Sequence, residues 1–184
     1  SDMSTFNNKE GSETLTITGS GSRTNAIAGS GKVISLGTLQ LADGSGSASN
    51  YSLSSGTYTG NARKLNVSGS RIYDNTTVVN GSDLVVTTGV GSEIITLSGQ
   101  GSVVNANVGN SKSVTQDTLS LVSASGSASN YSMGTISLNI TQRPVNISLE
   151  KIYDGTLDAP ATGLITNGIT NTVGGQTLTI SGIG

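Results

Sequence analysis

The side chains of this chain that could carry chemistry are few and widely spaced. Among 184 residues there is no histidine and no cysteine. That removes the usual general base near neutral pH, the commonest transition-metal ligands and any thiol nucleophile. A Ser–Lys pair is formally available, but Ser and Thr make up 54 of the 184 residues, so such a pairing carries no information. Asp74 and Asp154 are the carboxylates to consider for calcium, with Asp83, Asp117 and Asp158 as further donors. They are scattered, no DxDxDG loop is present, and calcium needs six to eight oxygens. There is no phosphate-cradling GxxxxGK[ST] loop either. Catalysis is not expected, and neither is a cofactor or a metal. Nine basic against eleven acidic residues, with no basic cluster, leave no footprint for nucleic acid. No apolar stretch is long enough for a membrane span.

The chain is instead organised by repetition. Residues 45–52 read SGSASNYS, and so do residues 125–132, an offset of 80 (45 to 125). Ile72-Tyr73-Asp74 returns as Ile152-Tyr153-Asp154, and Gly11-Ser12-Glu13 as Gly91-Ser92-Glu93, at the same spacing. Three landmarks at one period mark a tandem array, in which units act by adding length, spacing or valency. The expected division is a tag remnant or disordered stretch at 1–10, a partial repeat at 11–62, a complete repeat at 63–142 and a partial repeat at 143–184. The third copy drifts: Gly174-Gly175-Gln176-Thr177 matches Gly11-Ser12-Glu13-Thr14 at an offset of 163 (11 to 174). The three extra residues are expected in a loop around 167–173.

Within each unit the dominant pattern is alternation of period two. Leu15 and Ile17 alternate with threonines, as do Leu178 and Ile180, and Ile136, Leu138 and Ile140 alternate with Ser137, Asn139 and Thr141. Leu39 and Leu41 are matched by Leu119 and Leu121. One apolar and one hydroxyl-bearing face predicts antiparallel strands. Val, Ile, Leu and Phe number 44, about 24% of the chain, enough for a thin core in each unit. The fold class expected is all-β: small, sandwich-like antiparallel domains joined head to tail into an elongated rod. Asn80-Gly81 has the composition of a type I′ hairpin turn, and Asn167-Gly168 reads the same way. Residues 19–22 and 98–102 read as equivalent Gly-rich loops. Gln116-Asp117 and residues 25–28 are candidates for a short helical turn.

Lys151-Ile152-Tyr153-Asp154-Gly155-Thr156 and Arg71-Ile72-Tyr73-Asp74-Asn75-Thr76-Thr77 resemble the signature of the YDG repeat, and Ser-Ala-Ser-Asn-Tyr resembles its late block. The resemblance covers nearly the whole chain. It departs at Asn75, where the family usually has Gly, and at Leu157, where a second Thr is common. Asn tolerates positive φ, so the turn is expected to survive. The family occurs in tandem in very large exported bacterial proteins, many of them filamentous-haemagglutinin-like adhesins of two-partner secretion systems.

The resemblance implies an all-β stalk unit, located extracellularly or at the bacterial surface, with no catalytic residues. The motif positions Tyr73, Asp74, Asn75, Tyr153, Asp154, Gly155, Asn50, Tyr51, Asn130 and Tyr131 are expected to be structural. Each tyrosine is expected to pack its ring into its unit and bond its hydroxyl to backbone, and each aspartate to accept from nearby amides in a turn. The expected function is a spacer that projects a distal adhesive domain. The partners are neighbouring repeats, with host surface or biofilm polysaccharide engaged through other domains. The alternatives are weak, multivalent binding of glycan or matrix by the repeats themselves and cell–cell cohesion through strand edges. Seven Asn-x-Ser/Thr sites occur, against roughly five expected by chance at this composition.

Overall fold

β-Branched and small residues, alternating apolar with hydroxyl-bearing, build strands almost throughout the computed structural model, which describes residues 10–54, 56–86, 90–158 and 165–181. The fold is all-β, with single turns of 3-10 helix at Ala48–Asn50, Gly81–Asp83 and Ala128–Asn130 as its helical elements among the described residues. The stretch expected to be a disordered tag remnant lies, but for Glu10, outside the described residues. The described chain forms two compact units, the first Ser1–Lys64 with Ser127–Ser132, the second Leu65–Gly126 with Met133–Gly184.

In the first unit, β1 (Leu15–Thr18) and β4 (Gln40–Asp43) pair antiparallel, with Leu15 opposite Asp43 and Ile17 opposite Leu41. A second sheet has the order β2 (Ser22–Arg23), β3 (Gly29–Ser35), β5 (Thr57–Gly60). Leu15, Leu39 and Tyr131 are the buried apolar side chains of this unit among the described residues. Gly19 has φ +86, and a Cβ there would lie 2.0 Å from the Thr38 carbonyl oxygen, so this joint between β1 and β2 requires glycine.

The second unit opens with β6 (Arg63–Ile72), β7 (Val78–Asn80) and β8 (Leu84–Val86), followed by β9 (Ile95–Ser98) and β10 (Gln100–Ser102). Next come β11 (Gly109–Ser113), β12 (Ser120–Ser123), β13 (Tyr131–Thr141), β14 (Asn146–Glu150) and β15 (Ile165–Thr170). A four-stranded sheet has the order β11-β13-β6-β8, and three two-stranded ladders are β7–β10, β9–β12 and β14–β15. Most pairs are antiparallel, as the alternation predicts. The centre of the large sheet is not. Thr135 Oγ1 bonds Asn66 Oδ1, and further along Thr141 Oγ1 bonds the Arg71 carbonyl, so β6 and β13 run in the same direction. These two strands are the first and last of the 63–142 repeat, joined through everything between them, as a parallel pair requires.

The core lies between the ladders. Val67, Leu84, Ile136, Leu138 and Ile140 of the large sheet meet Val79, Val103, Val114 and Leu119, while Tyr73, Val86, Leu97 and Met133 close its margin. Each fully buried aliphatic side chain contributes roughly 1.5–3 kcal/mol, which explains how so few of them suffice.

Several local expectations give way to these long-range pairings. Asn80-Gly81 is not a hairpin turn: β7 pairs with β10 and β8 with β6, so the chain changes sheets through the Gly81–Asp83 turn. Asn80 stays extended (φ −79, ψ 150), its amide held by Asp83 Oδ2 at 3.0 Å and its side chain by Gln100 Nε2 at 3.0 Å. Burial of Val79 and Leu84 on opposite ladders outweighs the local preference of the dipeptide. The loop expected at 98–102 is strand on both sides of Gly99, at φ +83. The helical turn expected at Gln116-Asp117 is a tight turn with Asp117 at φ 42, and residues 25–28 form no helix.

Asn167-Gly168 lies inside β15, not in a loop. Ile147 pairs with Ile169 and Leu149 with Thr166, so two residues oppose one, and Asn167-Gly168 is the bulge. Counterpart pairing of Val67 with Val86 puts Ile169 at an offset of 83 (86 to 169). The extra residues of the third copy therefore precede or fall within β15, correcting the expected loop at 167–173. Thr177 to Ser181, expected as a strand, forms none. Its counterparts β1 and β9 pair with β4 and β12.

Candidate functional site: the repeated motif

The Tyr-Asp-Asn/Gly segment folds the same way twice. Asp74 Oδ1 accepts from the Thr76 amide and the Thr76 hydroxyl, each at 3.0 Å. Asp154 Oδ1 accepts from the Thr156 amide at 2.9 Å and its hydroxyl at 2.8 Å. A short acidic side chain closing over the residue two ahead forces the intervening residue into left-handed backbone. Asn75 has φ 62 and Gly155 φ 75, so asparagine does take the glycine position.

The basic residue three before each aspartate completes the turn. The Arg71 guanidinium bonds the Val78 carbonyl and, at 2.6 Å, the Thr76 carbonyl. Its Nη1 lies 3.5 Å from Asp74 and 3.9 Å from Asp83, and its side chain is 9% exposed. Arg71 Nε is buried with no hydrogen-bond partner among the described residues, an energetic cost that the four other contacts offset. Lys151 takes the same place with fewer bonds: Asp154 Oδ1 at 2.9 Å, Thr156 Oγ1 at 2.7 Å and the Asp158 carbonyl at 2.6 Å. Its ammonium beside Asp154, followed by the Thr156 amide and hydroxyl, holds that carboxyl below the usual range.

The tyrosines of the two turns diverge. Tyr73 packs against the core, its amide donates to the Thr141 carbonyl, and its hydroxyl donates to Asn75 Oδ1 at 3.0 Å and accepts from Gln176 Nε2 at 2.6 Å. The hydroxyl thus finds side chains rather than the backbone expected. Tyr153 is 93% exposed, so the expected packing does not occur there.

The Ser-Ala-Ser-Asn-Tyr segments form the 3-10 turns Ala48–Asn50 and Ala128–Asn130, each steadied by a serine pair, Ser47 with Ser49 and Ser127 with Ser129, at 2.9 Å. Asn130 Oδ1 accepts from the Ala28 amide at 2.9 Å, a bond across 102 residues of sequence. Tyr131 is buried. Tyr51 donates to Glu13 Oε2 at 2.6 Å and accepts from the Glu10 amide at 3.2 Å, and the Glu13 bond raises its pKa above the ordinary tyrosine value. Gly46 leaves room for Glu13, since a Cβ there would fall 2.7 Å from its Oε2.

Two features escaped the sequence reading. Asn25 and Lys32, and their counterparts Asn105 and Lys112, are joined by 2.8 Å bonds that brace the loop before β3 and β11. The Arg23 guanidinium lies 4.7 Å above the Tyr58 ring. The recurrence of Asn and Lys at one spacing was a usable signal for the first.

A cavity of about 610 Å³ in the second unit is lined by Tyr73, Val108, Arg143, Pro144, Val173 and Leu178, among others. Its walls are mainly apolar, and Arg143 is the one charged side chain among the lining residues. Among the described residues no three His, Cys, Asp or Glu side chains gather as metal ligands, and no helix is long and apolar enough to cross a membrane. Asp74 and Asp154 are engaged with the amides of their own turns, and Asn130 and Tyr73 with residues of neighbouring copies. No curated protein and no solved structure matches the chain. Residues 61–138, which contain the Arg71 turn and the second Ser-Ala-Ser-Asn-Tyr segment, match the family model of the YDG domain, and the chain carries a YDG domain there.

Proposed function

We propose that this chain is a structural spacer from an exported bacterial surface adhesin or biofilm-matrix protein of filamentous-haemagglutinin-like type, projecting a distal adhesive domain. The observation that supports the reading most is where the motif side chains go. Asp74, Asn75, Arg71, Asp154 and Lys151 direct their polar groups into their own turns, and Asn130 binds an amide of the preceding copy. A motif committed in this way serves the fold and the succession of copies. Four residues separate Thr141 at the end of β13 from Asn146 at the start of β14, and Pro144 among them fixes a backbone angle. Short, stiff junctions suit a rod in which each repeat adds on the order of 30 Å. Small-angle X-ray scattering of this chain beside one carrying a further repeat tests it. The longest dimension is expected to grow by about one such unit. A compact or freely bending particle would sink the reading.

A second reading, weak glycan binding, is favoured by one observation: Ile152, Tyr153 and Leu157 are exposed together at the Lys151–Gly155 turn of the third copy. Binding of surface polysaccharide to this chain that is lost in Tyr153→Ala would support it.

A further inference from the structure

We infer that β6 and β13 form a mechanical clamp, which takes tension along the chain as shear across one parallel ladder. The chain enters the 63–142 repeat at the start of β6 and leaves it at the end of β13. Two residues, Asn61 and Ala62, join β5 to β6, and four join β13 to β14. A pull on the flanking segments therefore reaches these two strands before any other part of the repeat. They are neighbours in the large sheet and run in the same direction. Tension draws β6 toward its start and β13 toward its end, so the strands must slide past each other. All the bonds between them then carry the load together. An antiparallel pair pulled at its two open ends would instead part from one end, one bond at a time.

Three further observations fit that role. β6 has 10 residues and β13 has 11, while the next longest strand among the described residues, β3, has 7. Val67, Leu138 and Ile140 are fully buried, so on the core face water has no access to replace a bond that begins to open. The ladder is also fastened by side chains at both ends. Near its start Thr135 Oγ1 bonds Asn66 Oδ1 at 3.2 Å, and a Cβ on Gly134 would lie 2.9 Å from the same Oδ1, so the strands approach closely there. At its end the Thr141 hydroxyl donates to the Arg71 carbonyl at 3.3 Å, and the Thr141 carbonyl accepts from the Tyr73 amide at 2.9 Å. Just beyond, the Arg71 guanidinium holds the Thr76 and Val78 carbonyls. The closed turn is thereby a stop that resists being drawn along the ladder. The inference deepens the spacer reading, on which its use in a stalk under tension rests, but the force measurement is separate from the scattering.

The absence of cysteine lets a pair be placed to set the direction of pull. Asn61→Cys with Gln142→Cys, in the full 184-residue chain, attaches DNA handles that load the ladder in shear. Ile72→Cys with Gln142→Cys attaches them at the same end of both strands and peels the ladder open. In optical tweezers at one loading rate, the shear pair is expected to open at a force at least about twofold above the peeling pair. Its opening should release about 25 nm of contour length, close to the full extension of the repeat. Equal forces, or a stronger peeling pair, overturn the inference. If Ile72→Cys alters the far-ultraviolet spectrum, Ser129→Cys with Asn61→Cys peels the ladder from its other end. Equal forces beside a scattering curve that lengthens by one unit would sink the clamp and leave the spacer. A stronger shear pair beside a freely bending particle would do the reverse.

Discussion

The Arg71–Asn75 turn and the Lys151–Gly155 turn share a backbone and differ in nearly everything beyond it. In both, one aspartate oxygen takes the amide and the hydroxyl of the threonine two residues on, and the residue between has positive φ. Yet Arg71 is nearly buried and holds two carbonyls, while Lys151 is 25% exposed; Tyr73 rests on the core, while Tyr153 is 93% exposed. The turn is thus a property of four or five consecutive residues. The tyrosine's environment is a property of segments about 30 and 100 residues later in the chain, at Val108 and Gln176. What recurs in sequence is the local device, and the packing depends on segments far along the chain.

Removing the basic residue separates the two turns most. Arg71→Ala strands the Val78 and Thr76 carbonyls and leaves Asp83 without its cation, and should cost about 3 kcal/mol in urea unfolding. Arg71→Lys should recover part of that loss, as the lysine of the third copy indicates. Lys151→Ala should shift the midpoint of unfolding much less, because its partner Asp154 is half exposed and solvent screens the pair. Equal losses at the two positions would mean that Arg71 is no more than a surface partner of Asp74.

The tyrosines provide the next comparison. Tyr73→Ala removes a ring from the margin of the core and should cost about 2 kcal/mol, less than for a fully buried aromatic. Tyr73→Phe keeps the ring and should lose about 1 kcal/mol through the bonds to Asn75 and Gln176. Tyr153→Ala should have no measurable effect in this chain, and should become costly in a chain extended by one further repeat. Unfolding curves of both lengths check this, and an unchanged Tyr153 in the longer chain would break the argument that segments far along the sequence supply the packing, as they do at Tyr73.

The sequence exposed some parts of this structure and hid others, for physical reasons. β1 follows directly from Leu15 and Ile17 alternating with threonine, and β13 from Ile136, Leu138 and Ile140, because period two has one realisation on a half-buried sheet. Positive φ at Asn75 and Gly155 could be read from the motif, because a turn closes within a few residues. Strand partners could not be read. Asn80-Gly81 has the residues of a hairpin, but Val79 and Leu84 are buried on different ladders, and a local signal carries no information about a partner twenty residues on. The parallel β6–β13 pair was hidden for the same reason, since alternation does not reveal strand direction. Among site residues, Asp74 and Asp154 were legible and Arg71 was not, because its value lies in carbonyls that become neighbours only after the turn has formed.

Backbone strain offers a smaller contrast. Gly155→Ala places a Cβ at φ 75 and should cost about 1 kcal/mol. Asn75→Ala should cost a similar strain plus the Tyr73 bond, whereas Asn75→Gly relieves the strain and loses the bond, leaving a net change near zero. Finding Asn75→Gly clearly destabilising would show that the side-chain bond, rather than φ, is what asparagine contributes there.

The smallest effect concerns protons. Asp154 is held below its ordinary pKa chiefly by the Lys151 ammonium and then by the Thr156 amide. A carboxyl depressed in the folded state adds stability above its unfolded pKa and gives it up as pH falls through the folded value. Tyr51 has the opposite sign. Its pKa is raised first by the bond to Glu13, so its contribution is present below the unfolded tyrosine value and is lost as pH rises through the folded one. Asp154 is exposed and Tyr51 half-buried, and the direct reading is each residue's own titration by NMR rather than a melting temperature. Lys151→Met should return Asp154 toward the ordinary carboxyl range while the Thr156 bonds keep it from arriving fully. Glu13→Gln should bring Tyr51 down, since a neutral acceptor no longer favours the protonated hydroxyl. An Asp154 titration that ignores Lys151 would place the cause in the turn amides alone. The two turns would then be electrostatically alike despite their different basic residues.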